Sequence, residues 1–255
     1  MCQSRTTTGL VALGALLFLS APALAADGPV VPLDDDARKE LALLGDGVVG
    51  KPLPAPSFTD PTPYLNLGEG AWSYSIVAGK EKGKSQEERY EKQSPNRWIR
   101  HIGDEYLEYL VVDSSAGIAK VAETALSFGY RSTFDPGMHE ARTFEPGETV
   151  EIKSKLAVSK DENPDKVEYT GSMNAKITYV GAYQVTVPAG SFEALLLRVD
   201  AEIHVGPAKV SDTQYTFFAK GVGKVAEVEA QRVAAVLIYH SKSDTAKLLT
   251  AYPKR

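Results

Sequence analysis

Leu195, Leu197, Val199, Ala201, Ile203 and Val205 alternate without a break with Leu196, Arg198, Asp200, Glu202 and His204. A helix repeats every 3.6 residues and cannot hold such a pattern on one face. A strand repeats every two residues and presents one buried and one wet face. The stretch therefore reads as a long antiparallel strand, with Leu196 falling on its wet face. Trp72, Tyr74 and Ile76 alternate with Ser73 and Ser75. Val150, Ile152, Ser154, Leu156 and Val158 alternate with Glu151, Lys153, Lys155 and Ala157. The 12 tyrosines suit such half-buried surfaces.

Turn signals punctuate these runs at Asp135-Pro136-Gly137, Glu145-Pro146-Gly147, Asn163-Pro164-Asp165, Pro188-Ala189-Gly190 and Gly206-Pro207. Lys80–Lys92 is nearly all charged or small and has no period, so it reads as a solvated hairpin loop. No helical period separates the strands, which excludes βαβ architecture. The expected fold for residues 70–255 is mainly β: a single antiparallel, strongly curved sheet or unclosed barrel of about 10–12 strands, with one short N-terminal helix. A lipid-embedded barrel fits less well, because the apolar bands are short and the chain ends Tyr252-Pro253-Lys254-Arg255.

The N-terminus reads as an export signal. Arg5 precedes the apolar run Gly9–Leu19, and Ala23-Leu24-Ala25 has the small-x-small pattern of a cleavage site. Ser20 and Pro22 interrupt the run before it reaches the ~20 apolar residues of a membrane span. Loss of residues 1–25 leaves 230 of the 255 residues, moves the net charge from −5 to −6 and removes Cys2, the single cysteine. An exported chain without disulfides points to a bacterial periplasm or the medium, and no membrane span is expected after cleavage near Ala25. Its acidity argues against nucleic acid as a partner.

Residues 26–69 form an arm carrying seven of the fifteen prolines, from Pro29 to Pro63. Proline lacks the N–H that a central strand must donate. Within the arm a short helix is expected over 34–44, started by Asp34, Asp35 and Asp36 and stopped by Gly45 and Gly47.

Recognisable catalytic chemistry is missing. No Gly-x-Ser-x-Gly or Ser-x-x-Lys occurs, and the mature chain has no thiol. His101, His139, His204 and His240 are isolated, and Thr143 stands where a His-Glu-x-x-His motif needs its second ligand. Asp161-x-Asn163-x-Asp165 opens like a calcium loop, but Lys166 replaces the glycine and Ser172 the closing glutamate. Gly221-Val222-Gly223-Lys224 lacks the first glycine and the Ser/Thr of a phosphate loop. No catalytic residue, metal ligand or cofactor is assigned.

Val187-Pro188-Ala189-Gly190-Ser191-Phe192-Glu193-Ala194, followed by Ala219-Lys220-Gly221-Val222-Gly223-Lys224-Val225, resembles a broad family of bacterial exported domains of unknown function. That resemblance covers about 50 residues well. It implies a strongly curved antiparallel sheet, similar in outline to LolA/LolB-type lipoprotein carriers, which hold acyl chains in the concave face of an unclosed barrel. It supplies turns and core positions but no catalytic residues.

On that footing Trp72, Tyr74, Leu195, Leu197, Val199 and Phe217 either line a groove for a lipid or other amphipathic ligand or simply form a filled core. The expected function is a non-enzymatic binder of such a ligand, or an accessory factor of the cell envelope with a protein partner there. Two alternatives stand beside it: a protein-interaction module without a ligand, and a hydrolase whose site assembles only in three dimensions.

Overall fold

The structure, a computed structural model, describes residues 28–57, 60–113, 117–141, 143–235 and 239–254. The expected signal segment and its expected cleavage near Ala25 lie outside the described residues. Thirteen strands form one antiparallel sheet. They are β1 (Val49–Leu53), β2 (Ala71–Ala78), β3 (Ser85–Ser94), β4 (Arg97–Ile102), β5 (Tyr106–Asp113), β6 (Gly117–Ala125), β7 (Tyr130–Ala141), β8 (Thr149–Lys160), β9 (Asn163–Val187), β10 (Gly190–Val205), β11 (Ala208–Ala219), β12 (Gly223–Ala235) and β13 (Tyr239–Ala251). Helix α1 (Asp35–Leu41) runs into a 3-10 turn at Ala42–Leu44, and α2 spans Thr62–Leu65. The Asp34 carboxylate caps α1 by accepting from the Ala37 N–H at 2.7 Å.

The expectation of an unclosed curved sheet is corrected: β2 to β13 close into a twelve-stranded antiparallel barrel. Closure rests on β9, which is 25 residues long. Its first part pairs with β8, from Lys160↔Asn163 to Thr149↔Thr178. Its second part pairs with β10, from Val205↔Gly171 to Gly190↔Val187. Alternating side chains reveal which face of a strand is buried. They do not reveal which backbone edges are paired, and closure is a matter of edges. β1 lies beyond the end of β8 on the same edge of β9, with Val49↔Val185 and Leu53↔Ala182. It has one neighbour only, so Pro52 disrupts no second ladder.

The stretch read as a solvated loop at 80–92 is also corrected. Only Gly79–Lys84 is a turn, and β3 begins at Ser85. Its inward residues include Glu88, which is 2% exposed. A buried glutamate hides the period of two from any reading based on apolar side chains.

Register assigns the faces. Leu110 and Ile118 from β5 and β6 share a core with Ile177, Leu195 and Leu197 from β9 and β10, which lie across the barrel, so this face is the lumen. Leu197↔Thr216 and Thr216↔Glu227 carry the same face onto β11 and β12. The opposite face of β10–β13 is covered by α1, where Ala37, Leu41 and Leu44 share a core with Leu196, Tyr215, Phe217 and Val228. Leu196 is 0% exposed, so β10 is buried on both faces here and the wet-face assignment of this residue is corrected. Outward Glu87, Arg89, Glu151, Lys153 and Lys155 are exposed in the middle of their strands, which does not suit a lipid-facing wall.

The two ends of the barrel differ. At the base, α2 meets the β11–β12 turn: the Gly221 N–H donates to the Pro63 carbonyl at 2.8 Å. Asn66 Nδ2 and Trp72 Nε1 donate to the Val222 carbonyl at 3.3 and 2.7 Å. The rim end carries the turns at 79–84, 103–105, 126–129, 161–162 and 206–207.

Candidate functional site

The lumen is the first place where chemically active side chains meet. Lys224 Nζ lies 2.7 Å from Glu88 Oε1 and 2.9 Å from Glu227 Oε2. Lys247 Nζ lies 2.7 Å from Glu227 Oε1 and donates to Gln86 Oε1 at 3.0 Å. The Lys224 ammonium also stands 5.2 Å from the centre of the Tyr74 ring, and the Tyr74 hydroxyl donates to the Lys224 carbonyl. Burial disfavours the ionised form of Glu227, but Lys224 and Lys247 outweigh it and hold the carboxyl well below its usual range. Burial likewise disfavours the charged Lys224, but Glu227 and Glu88 hold its ammonium protonated beyond the usual range.

A second group joins β4, β5 and β6. Arg100 is ion-paired to Glu108 Oε2. Lys120 Nζ lies 3.3 Å from Glu108 Oε1 and 2.9 Å from Glu123 Oε2. Burial pushes the Glu108 carboxyl up, but the Arg100 and Lys120 charges win and bring it down to about 2.

Two further lumenal carboxyls behave in the opposite way. Asp212 stands opposite Gln231, and Glu229 stands opposite Gln214, which makes the two acids diagonal neighbours on adjacent strands. Asp212 Oδ1 is buried and has no hydrogen-bond partner. Burial, followed by the Glu229 charge, pushes the Asp212 carboxyl up to about 7. Burial and Glu227 raise Glu229. Such a group can take or give a proton near neutrality. No serine, cysteine or histidine nucleophile is bonded to either acid among the described residues.

Five of the six expected groove residues, Trp72, Tyr74, Leu195, Leu197 and Val199, reach the lumenal face. Phe217 does not: it pairs with Leu196 on the opposite face, under α1. Trp72 and Tyr74 pack at the base, where the Trp72 ring meets Tyr90 edge-on at 5.4 Å. Leu195, Leu197 and Val199 pack with Ile177, Tyr179 and the arm residue Ala55. Two cavities, of about 350 and 240 Å³, lie elsewhere. Lys209, Arg232 and Lys242 line the larger, and Asp36, Arg198 and Tyr215 the smaller, both on the outer face of β10–β13.

The three histidines whose side chains are described, His101, His139 and His204, stay apart. His101 faces outward from β4, with Nε2 3.0 Å from Glu91 Oε2. His139 is on β7 and His204 on β10. Among the described residues, no group of three or more His, Cys, Asp or Glu is arranged to hold a metal ion.

The second distinctive place is the rim. Large apolar side chains exposed on the described surface are Val30, Tyr106, Leu126, Phe128, Val167 and Tyr169, and all but Val30 belong to the rim end. They are linked through the backbone. Tyr106 pairs with Ala125, and the Leu126 N–H donates to the Glu105 carbonyl. The Asp161 N–H donates to the Gly129 carbonyl, and a Cβ on Gly206 would come within 2.9 Å of the Tyr169 ring. Phe128 is 73% exposed at the tip of the β6–β7 turn. A scan for apolar residues cannot find this set, because its members sit at the start of β5, in the β6–β7 turn and in the first part of β9, which strand order brings to one end.

No family model matches the chain, and no curated protein does. Three solved structures resemble it weakly. A candidate lipoprotein from Parabacteroides distasonis is 10% identical, with a TM-score of 0.37 over 74% of this chain and 98% of its own. A candidate exported protein of YmcC-like fold from Bacteroides fragilis is 14% identical, with a TM-score of 0.32 over 75% of this chain and 99% of its own. The hypothetical lipoprotein YmcC from Escherichia coli K12 is 7% identical, with a TM-score of 0.37 over 75% of this chain and 95% of its own. None of the three is described as a LolA/LolB-type carrier. Likeness at this level carries no argument about what the chain does.

Proposed function

We propose that the protein is a non-enzymatic, exported accessory protein of the bacterial envelope that meets a hydrophobic or amphipathic ligand at its rim rather than inside its barrel. The observation that carries this reading is the gathering of Tyr106, Leu126, Phe128, Val167 and Tyr169 at one end. Exposed apolar side chains scattered singly need no explanation, but a set concentrated at one end marks a contact surface. The lumen, where an acyl chain was first expected, is occupied by core clusters and the Lys224 and Arg100 ion pairs. The signal segment supports a site of action in the periplasm or the medium.

The test is binding of fluorescent lysophosphatidylcholine, used below its micellar concentration, to the mature chain and to a Leu126→Ser, Phe128→Ser variant. Both positions are exposed, so the expected change in stability is within about 0.5 kcal/mol. Burying one such side chain in a complex is worth roughly 1.5–3 kcal/mol. The expected result is saturable binding by the mature chain, weakened about tenfold or more in the variant. Absence of saturable binding, or equal binding by both proteins, overturns the reading.

A further inference from the structure

The rim is electrically divided. Its β2–β3 turn carries Lys80, Lys82 and Lys84, with Lys84 ion-paired to Glu81, and presents no large apolar side chain. The sector made by residues 103–106, 125–131 and 160–169 has the opposite sign. It carries Asp104, Glu105, Asp161, Glu162, Asp165 and Glu168, all exposed, and none of them makes an ion pair among the described residues. The Asp161 carboxylate accepts from the Thr124 hydroxyl at 3.2 Å. The cations of this sector are Lys160, Lys166 and Arg131, whose guanidinium lies 4.1 Å from the centre of the Tyr109 ring. Six acids against three cations leave it a net charge of −3.

The exposed apolar residues of the rim stand among these carboxylates. Glu105 precedes Tyr106, and its carbonyl accepts from the Leu126 N–H. Gly129, next to Phe128, accepts from the Asp161 N–H. Glu168 separates Val167 from Tyr169. Strands β5 to β9 are consecutive neighbours in the sheet, so the sector crosses four strand spacings, roughly 20 Å at about 4.8 Å each. A single-headed lipid would meet one part of this arc. A helix of about 14 residues matches its length and sets several cations beside an apolar stripe.

We propose that this sector of the rim docks a basic amphipathic segment of an envelope protein, its apolar stripe on Tyr106, Leu126 and Phe128 and its cations against the six carboxylates. The inference rests on the rim reading above and names the occupant. Exposed carboxylates are stable in water without a partner. They select among partners by repelling like charge and steering opposite charge into contact.

Fluorescence anisotropy of a synthetic 14-residue peptide of leucine and lysine, patterned with one apolar and one basic face, tests it on the mature chain. A peptide with glutamate in place of lysine is the control. The expected result is saturable binding of the lysine peptide, about tenfold or more tighter than that of the glutamate peptide. Glu105→Gln, Asp161→Asn and Glu162→Gln combined are expected to weaken the lysine peptide about tenfold and to leave lysophosphatidylcholine binding unchanged. All three positions are exposed, so the fold is not at stake. Equal binding of the two peptides, or equal binding of the lysine peptide by the triple variant and the unmodified chain, overturns the inference. Should lysophosphatidylcholine binding still fall in the Leu126→Ser, Phe128→Ser variant, the rim reading stands although the inference does not. Lysine-peptide binding that ignores Leu126→Ser, Phe128→Ser also overturns the inference, because the apolar set then plays no part.

Discussion

Replacing Lys224 by methionine is expected to cost about 3–5 kcal/mol of folding stability, because it leaves Lys247 alone to neutralise two buried carboxylates, 2.7 Å from Glu227 but 3.8 Å from Glu88. Glu88 is 2% exposed and Glu227 4%, and both bond directly to the Lys224 ammonium. Methionine keeps most of the side-chain stem, so the loss reports charge rather than a cavity. In a domain of this size each kcal/mol moves the melting temperature by roughly 2–4 °C, so a fall of about 10 °C is expected. Adding Glu88→Gln should recover part of the loss, since it removes one of the stranded charges. The sign of the pH dependence follows from Glu227, whose carboxyl is held low in the folded state. Its contribution is fully present above the ordinary carboxylate range and is lost as the pH falls through the folded value. The gap between the unmodified chain and Lys224→Met should therefore be widest near neutrality and narrow below about pH 4. Urea unfolding at a series of pH values measures it. A loss under about 1 kcal/mol would mean that water screens the network.

Phe217→Ala is expected to destabilise by about 3–5 kcal/mol, the range for emptying an aromatic site in a packed core. Phe217 is 0% exposed, and its ring meets Tyr183 edge-on with centroids 6.1 Å apart. Its face of the sheet is the one covered by Ala37, Leu41 and Leu44, so the cavity opens beneath α1. Phe218, the next residue, points into the lumen opposite Leu195 and is only partly buried. Phe218→Ala should cost clearly less, although the two phenylalanines are indistinguishable in sequence. Leu196→Ala should cost about 2–5 kcal/mol for the same reason as Phe217. Equal losses at Phe217 and Phe218 in urea unfolding would contradict the packing of α1 on the outer wall.

Much of the barrel was legible because side-chain alternation is a local property. Leu195–Val205 announces a strand, and β10 covers that whole stretch. The turns at Pro188-Ala189 and Gly206-Pro207 stand where glycine and proline predict them. Asp135-Pro136-Gly137 does not turn: it lies inside β7, where the ladder with β6 shifts register between Lys120 and Ala122. The same dipeptide chemistry serves a bulge and a turn, and only the neighbouring strand distinguishes them.

The candidate sites were less legible, for two reasons. Glu88, Lys224, Glu227 and Lys247 look like solvated charges in a linear chain. Glu88 and Lys224 pair across 136 positions of sequence, and Lys247 reaches Gln86 across 161. The rim residues look like isolated apolar residues next to turns. Their common position depends on strand order and on which end each turn occupies.

The sequence by itself determined an antiparallel β chain with no recognisable catalytic motif, and it carries the pattern of an export signal, because these depend on residue type and short spacing. Tertiary structure alone decided that the sheet closes, that Leu196 and Phe217 are buried under α1, and that lumenal charges pair across the barrel. Those outcomes depend on which backbone edges meet and on the distance between residues remote in the chain. A period of two carries no information about either.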